Sequence, residues 1–215
     1  MFATFRAARF SADPRAGHLK GAKTILHYLH STPTHGLLYK KANLGQDKIP
    51  ITTYCDADFA GGVDCVSTMG ILVYTCGNLI DWCSQKIRTV VASAPAAELL
   101  GLYEAYHRTM WLADLLEEVG FTVATPRIFC DCKPVIQGVT SVMPSKQRQS
   151  NRLTRAKLHV LRDAYQQKVF KLEHVAGDET PADNLTKANQ LYRSFAGCRE
   201  QYMCCDIDTV LPALQ

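Results

Sequence analysis

The chain has no long apolar run: nothing in its 215 residues approaches the roughly 20 consecutive apolar residues that a membrane-spanning helix needs. It also has no C-x-x-C pair and no Cys/His quartet at zinc-ligand spacing, although it carries nine cysteines, which argues against a small zinc module. The odd cysteine count and the absence of a secretory apolar segment lead to an expectation of reduced thiols in an intracellular setting, cytoplasmic or nuclear. Internal repeats and low-complexity tracts are missing too. Charge of one sign does not dominate: a net +4 permits a polyanionic partner without demanding one. What remains is the composition of an ordinary globular protein, long enough for one well-buried domain with additional segments.

The first 15 residues hold Arg6, Arg9 and Arg15 against a single acid, Asp13, a composition that a transit peptide would share. From residue 15 to 31 the spacing predicts an amphipathic helix with Leu19, Ala22, Ile25, Leu26 and Leu29 on one face. Pro33 ends it, HGLLYKK is a short strand candidate, and NLGQDK is a polar loop at a domain boundary. The pattern then changes. ITTYCDAD alternates in period two, MGILVYTC is a short apolar run, and LIDWCSQK follows the turn signal Gly77-Asn78, so an antiparallel meander is predicted. A long helix is expected from Pro95 to about Glu118, with proline well placed in its first turn. Strand RIFCD, a short helix opening at Pro134, the basic loop KQRQSNR, a helix from about Leu153 to Lys168, strand VFKLEHV and a last helix from near Pro181 complete the series. Strands first as a meander and then alternating with helices give an α/β class with a mixed sheet.

Four acids sit where a solvated bystander is less expected. Asp56 lies within an otherwise apolar or hydroxylic strand, on the face of Thr52 and Tyr54; the bland alternative is a strand-end acid in a turn. Glu98 shares its helix side with Leu102, Ala105, Leu112 and Leu116, whereas Glu104 and Glu118 point away. The helix dipole accounts for an acid in a first turn but not for one on the apolar face. Asp131 closes strand RIFCD just before a helix, a common location for function in open α/β sheets, although a capping role is the alternative. Asp183 follows Thr180 by three residues, a spacing that also suits a capping box. Taken together, four carboxylates from two strands and two helix starts can converge at one rim of the sheet. That much negative charge needs a hard cation, and an all-oxygen donor set suits Mg2+ or Mn2+ rather than zinc.

The stretches carrying these acids are also familiar in order and spacing. YCDADFAGGVDCVSTMGILVYTCGNLIDWCSQKIRTVVASAPAAELLGLYEA, IFCDCKPVIQG and HVAGDETPADNLTK resemble successive motifs of the ribonuclease H domain in copia-type LTR retrotransposon polyproteins. RFSADPRAGHLKGAKTILHYLHSTPTHGLLYKK resembles the segment that connects that domain to the preceding reverse transcriptase. The resemblance implies a ribonuclease H-like α/β fold, a mixed five-stranded sheet with three antiparallel strands followed by two parallel ones, flanked by helices. It divides the chain into a connection-like segment (1–45), a ribonuclease H-like domain (46–190) and a tail (191–215), and makes the basic N-terminus an internal piece of a longer ancestor. No reverse-transcriptase YxDD motif, protease or integrase accompanies it. Two departures are evident. Ser93-Ala94-Pro95-Ala96-Ala97-Glu98 stands where the family has S-T-E-A-E, and Leu153-Thr154-Arg155 where it has H-I-D.

By motif, the resemblance makes Asp56, Glu98, Asp131 and Asp183 both catalytic carboxylates and ligands to two Mg2+ ions (or Mn2+) about 3.5–4 Å apart. Asp56 would bridge the ions, Glu98 and Asp131 completing one site and Asp183 the other. The implied substrate is an RNA–DNA hybrid, and the implied partner a reverse transcriptase domain of the same or a related polyprotein, with no membrane involved. Lys146, Arg148, Arg152, Arg155 and Lys157 form a candidate basic handle for phosphates, with a solvated surface as the alternative; Lys86 and Arg88 are weaker candidates. Trp82 is expected to pack on the sheet face rather than stack on a base. Two rival readings remain: an inactive retrotransposon-derived fragment acting as a nucleic-acid-binding or assembly module, and another enzyme of the same fold such as an integrase. An integrase is disfavoured by the missing zinc-binding HHCC segment. Neither residues 191–215 nor the Cys204-Cys205 pair carries a pattern that assigns it a role.

Overall fold

Cys76 and Gly77 both adopt left-handed backbone angles, φ 50° and 75°, and between them reverse the chain so that Thr75 faces Asn78. A two-residue turn of this hand matches the twist of the strands it joins, and it closes the hairpin of β2 (Thr68–Thr75) and β3 (Asn78–Lys86) one residue earlier than the turn signal suggested. The computed structural model describes residues 1–41, 48–61, 65–141 and 152–187. Before the hairpin come α1 (Phe2–Ala8), α2 (Ala16–Ser31) and β1 (Ile51–Asp58). After it come α3 (Ala94–Glu118), β4 (Arg127–Cys130), α4 (Lys133–Thr140), α5 (Arg152–Gln166) and β5 (Lys171–His174), then 3-10 turns at Gly177–Glu179 and Pro181–Leu185.

The sheet order is β3-β2-β1-β4-β5. β1 pairs antiparallel with β2 and β2 with β3, whereas β1–β4 and β4–β5 are parallel. This is the expected ribonuclease H-like mixed sheet. α3 starts from Ser93, whose side chain accepts a hydrogen bond from the Ala96 amide, with Pro95 in the first turn where its missing N–H costs nothing. Its buried side chains, among them Leu99, Leu102, Ala105 and Leu112, join Ile51, Cys55, Ile71, Val73, Ile128, Val135, Leu161 and Phe170 in the main core. α4 and α5 extend this layer on the same face of the sheet.

The opposite face is covered more sparsely, by Leu72, Tyr74, Leu79 and Leu185 with Leu37 and Tyr54 against them. Trp82 lies on this face opposite Leu72 but is exposed. The Pro181–Leu185 turn reaches it through Gly70: a Cβ there would stand 2.6 Å from the Leu185 Cβ and 2.8 Å from the Ala182 carbonyl. The Ser84 hydroxyl then donates to the Leu185 carbonyl at 2.6 Å, pinning the turn to β3.

Four expectations need correcting. The helix over 16–31 forms, but its apolar face is not buried: Leu19, Leu26 and Leu29 are all exposed. Periodicity reports a face able to be buried, not the presence of a surface to cover it. HGLLYKK contributes no strand; Lys40 is instead tethered through both its N–H and its carbonyl to the Asn78 side chain. The last strand is shorter than VFKLEHV. At Pro181 the chain makes a 3-10 turn rather than an α-helix through Leu185. Residues 191–215, with Cys204 and Cys205, lie outside the described residues.

Candidate functional site

The parallel pairing of β1 with β4 sets Thr52 opposite Arg127 and Tyr54 opposite Phe129. Continued two residues further, this register brings Asp56 level with Asp131, at the carboxyl ends of adjacent strands. α3 begins over the same end, with Gly101 close to the Asp56 carbonyl and Ala57, so Glu98 one turn earlier hangs over the strand ends and accepts a hydrogen bond from the Ala57 backbone. The Pro181–Leu185 turn approaches from the other face and delivers Asp183. All four singled-out carboxylates lie toward one end of the sheet, but among the described residues only Glu98 and Asp131, with Cys130, bring ligand atoms within 4.8 Å of one another; Asp56 and Asp183 are joined instead through Lys187.

Their surroundings differ. Glu98 is only 8% exposed, and burial, together with the charges of Asp56, Cys130 and Asp131, pushes its carboxyl up to about 10. Its Oε2, like Asp131 Oδ1, is buried without a hydrogen-bond partner. One ligand atom from each of Glu98, Cys130 and Asp131 lies within 4.8 Å of the others. Asp56, 2% exposed, is also pushed up, to about 6, first by burial and then by Asp131 and Asp183; Lys187 and a hydrogen bond from Thr186 oppose the rise. The Thr186 hydroxyl donates to Asp56 Oδ2. Lys187 Nζ stands 3.8 Å from that oxygen and 2.6 Å from Asp183 Oδ1. The ammonium is itself held protonated above its ordinary range, the attraction of Asp56 and Asp183 outweighing a burial that lowers it.

The bland alternatives of the sequence fail at two positions. Thr180 does not cap Asp183; its hydroxyl donates to the Ala176 carbonyl, and the Asp183 carboxylate turns to Lys187. Glu98 faces the strand ends rather than solvent. The fit to a divalent cation rests on the buried, unpartnered Glu98 and Asp131 oxygens: unpaired polar atoms in such a place are costly, and carboxylate oxygens are donors a hard cation prefers, although the third atom grouped with them is the Cys130 sulfur. Sequence reasoning missed Thr186, Lys187 and Asp58. The last is a half-buried acid whose carboxyl is raised by burial, with Lys187 opposing and Asp183 adding to the rise. Lys187 had a visible signal, an acid and a lysine four apart in PADNLTK.

Of the candidate basic residues, Lys146 and Arg148 lie outside the described residues. Arg152 and Arg155 are exposed on the first turn of α5. α5 leads back to the start of β5, so its own start is at the carboxylate end of the sheet. Lys157, half-exposed, has its Nζ 4.6 Å above the Tyr103 ring. Lys86, opposite Thr68, which in turn faces Asp58, and Arg88 just beyond it are also at this end and exposed.

No family model matches the chain. The retrovirus-related Pol polyprotein from transposon RE1 of Arabidopsis thaliana is 32% identical over 200 residues, covering 91% of this chain and 13% of the polyprotein. That from transposon RE2 of the same plant is 32% identical over 190 residues, covering 86% of this chain and 12% of the polyprotein. The chain thus spans about an eighth of the length of these curated relatives. Among solved structures, LC11-RNase H1, isolated from compost by a metagenomic approach, is similar with a TM-score of 0.47 and 17% identity, covering 66% of this chain and 94% of that one.

Proposed function

We propose that the chain, similar over most of its length to retrotransposon Pol polyproteins, is their ribonuclease H-type domain, a metal-dependent endonuclease that hydrolyses the RNA strand of RNA–DNA hybrids. Its motif order favours the copia type. Residues 1–45 are then the connection-like segment, 46–190 the nuclease, and 191–215 a tail. A reverse transcriptase domain of the same or a related polyprotein is the fitting protein partner, and an intracellular location the fitting compartment. Among the described residues no helix is long and apolar enough to cross a membrane.

The observation that carries this reading is the convergence of Asp56, Glu98, Asp131 and Asp183, with Glu98 Oε2 and Asp131 Oδ1 buried and unpartnered. Glu98 and Asp131 would hold Mg2+ or Mn2+ together with Asp56. A bound divalent cation supplies Lewis acidity toward the scissile phosphate and makes hydroxide accessible at neutral pH. The residues themselves orient: Thr186 and the Ala57 amide fix the carboxylates of Asp56 and Glu98 by hydrogen bonds, so that little rearrangement is left for the reaction. Arg152, Arg155, Lys86 and Arg88 would hold backbone phosphates, giving salt-dependent affinity, and the 2′-hydroxyls in a wide minor groove would distinguish the hybrid.

The test is cleavage of a hybrid labelled on its RNA strand, in Mg2+ or Mn2+, by the wild-type chain and by Asp131→Asn. Expected are metal-dependent cuts that EDTA abolishes and a rate about a hundredfold lower or less in the variant. Asp131→Asn removes one of several crowded charges, so its metal-free melting temperature should equal or exceed that of the wild type, and its gain from Mg2+ should be smaller. Equal cleavage by the two proteins would remove Asp131 from the site. Hybrid binding without any cleavage would favour an inactive nucleic-acid-binding module.

A further inference from the structure

Two of the clustered carboxylates have oxygens without partners, and two are already held. Glu98 Oε2 and Asp131 Oδ1 are buried with nothing bonded to them. Asp56 Oδ2 accepts from Thr186 and faces Lys187 Nζ at 3.8 Å, while Asp183 Oδ1 lies 2.6 Å from the same nitrogen. We infer that Lys187 is an internal second cation: with no nucleic acid bound, its ammonium takes the position between Asp56 and Asp183 that a second divalent ion would need, and leaves the protein with one divalent-ion site, on the Glu98 and Asp131 side.

This rests on the metal-dependent reading above and concerns the chain with no nucleic acid bound, where it replaces one of the two ions that the resemblance implies. The lysine is placed there by the backbone. The amides of Thr186 and Lys187 both donate to the Asp183 carbonyl, at 3.1 and 3.2 Å, so the chain wraps over Asp183 and the side chain starts one turn beyond it. Thr186 is 1% exposed and is anchored to the Asp183 carbonyl and the Asp56 carboxylate by its hydroxyl. The Lys187 side chain is 46% exposed, yet its ammonium stands 2.6 Å from Asp183. A dication bound by both Asp56 and Asp183 would have that ammonium as an immediate neighbour of like charge, and two cations so close repel strongly in a half-buried site. Among the described residues, the structure gives no cation partner to the Glu98 and Asp131 oxygens. The ligand atoms of these two residues, with that of Cys130, lie within 4.8 Å of one another, a span that one divalent ion can bridge.

The bland alternative is an ordinary acid–lysine pair four residues apart, of small worth and no effect on metal count. Titration of the full chain with Mn2+ in the absence of nucleic acid separates the two, reading the number of sites by calorimetry. We expect one site in the wild type, one in Lys187→Arg, which keeps the charge, and two in Lys187→Met. Lys187→Gln, which is neutral but polar, should also show two, and it carries the count if the methionine variant does not fold. Two sites in the wild type, or one in the folded neutral variants, would overturn the inference while leaving the metal-dependent reading intact. No Mn2+ site in the folded wild type would overturn both.

Discussion

The two faces of the sheet are closed by different means, and the carboxylate cluster is assembled where they meet. One face carries three helices and a continuous core from Ile51 to Leu172; Glu98 arrives with it, fixed by a 25-residue helix. Among the described residues the other face is covered mainly by one five-residue 3-10 turn and a few side chains around Leu72 and Leu185; Asp183, Thr186 and Lys187 arrive with that. Half of the site therefore draws on the main core for its geometry. The other half depends on one close approach, at Gly70, and two buried hydroxyls, of Ser84 on the Leu185 carbonyl and of Thr186 on Asp56. Change on the turn face should disturb the site at little structural distance, whereas change on the helix face should be absorbed.

Gly70→Ala is the strongest way to test that contrast. The added methyl would stand 2.6 Å from a side-chain carbon and 2.8 Å from a backbone oxygen of the turn, distances that real Cβ atoms do not tolerate. Overpacking of this kind costs about 1–3 kcal/mol. We expect a melting temperature lower by several degrees, with hybrid cleavage lost beyond what the melting shift explains, because the turn carrying Asp183 and Lys187 must move off β2. A variant that melts and cuts like the wild type would show that the turn is held by something other than this contact.

The same contrast separates what was legible in the sequence from what was not. A period-two pattern in β1, an apolar run in β2, the turn signal before β3 and the prolines opening α3 and α4 placed these elements to within a few residues, and the apolar direction of Glu98 was readable because α3 is long and buried on one side. The turn face offered no such pattern. PADNL is too short for periodicity, so Pro181 suggested a helix and Thr180 a cap. What shapes this segment is a tertiary contact, the absence of a side chain at Gly70, and that is not visible from spacing within one element. In α2 the failure ran the other way: the periodicity was real, but no surface among the described residues covers Leu19, Leu26 and Leu29. Asp56 and Glu98 stood out because each departed from its element's apolar pattern, whereas Asp131 and Asp183 stood out by their place at a strand end and a helix start. Lys187 did not, because a lysine after an acid breaks no pattern.

A second, intermediate effect should appear with pH and sharpen the difference between the buried Glu98 and the tethered Asp56. Both carboxyls sit above their ordinary values in the metal-free fold, 4.5 rising to about 10 for Glu98 and 3.8 to about 6 for Asp56. The folded chain thus keeps protons that the unfolded chain has released. Stability tied to these groups is full below pH 4 and falls as pH rises, with Asp56 contributing up to about 6 and Glu98 through about 10. In EDTA, denaturant midpoints should therefore decline between pH 6 and 9, and Glu98→Gln, which cannot ionise, should decline less over that range. Mg2+ should stabilise the wild type more at pH 8 than at pH 6, since its ligands must lose protons to bind it. A metal-free midpoint that rises with pH between 6 and 9, unaltered by Glu98→Gln, would mean that Glu98 is charged and solvated in the fold.

The smallest expected effect lies on the helix face, at Gly101, and is opposite in sign to that at Gly70. Gly101 is buried in α3 directly over β1, yet a Cβ built there meets nothing closer than 3.6 Å, from the Ala57 Cβ and the Asp56 carbonyl, and 3.7 Å from the Met69 Cβ. Those are ordinary van der Waals distances. The methyl of Gly101→Ala should fit without moving the helix and add contacts where there are none. Alanine also loses less backbone entropy than glycine on entering a helix, a gain of up to about 1 kcal/mol. The variant should melt about 2–4 °C higher, and because Glu98 would keep its position over the strand ends, hybrid cleavage should change by less than about twofold, an upshift worth no more than roughly 0.4 kcal/mol of barrier. Destabilisation instead would mean that α3 and β1 are as tightly fitted as Gly70 and its turn, and the two faces would then not differ in the way proposed.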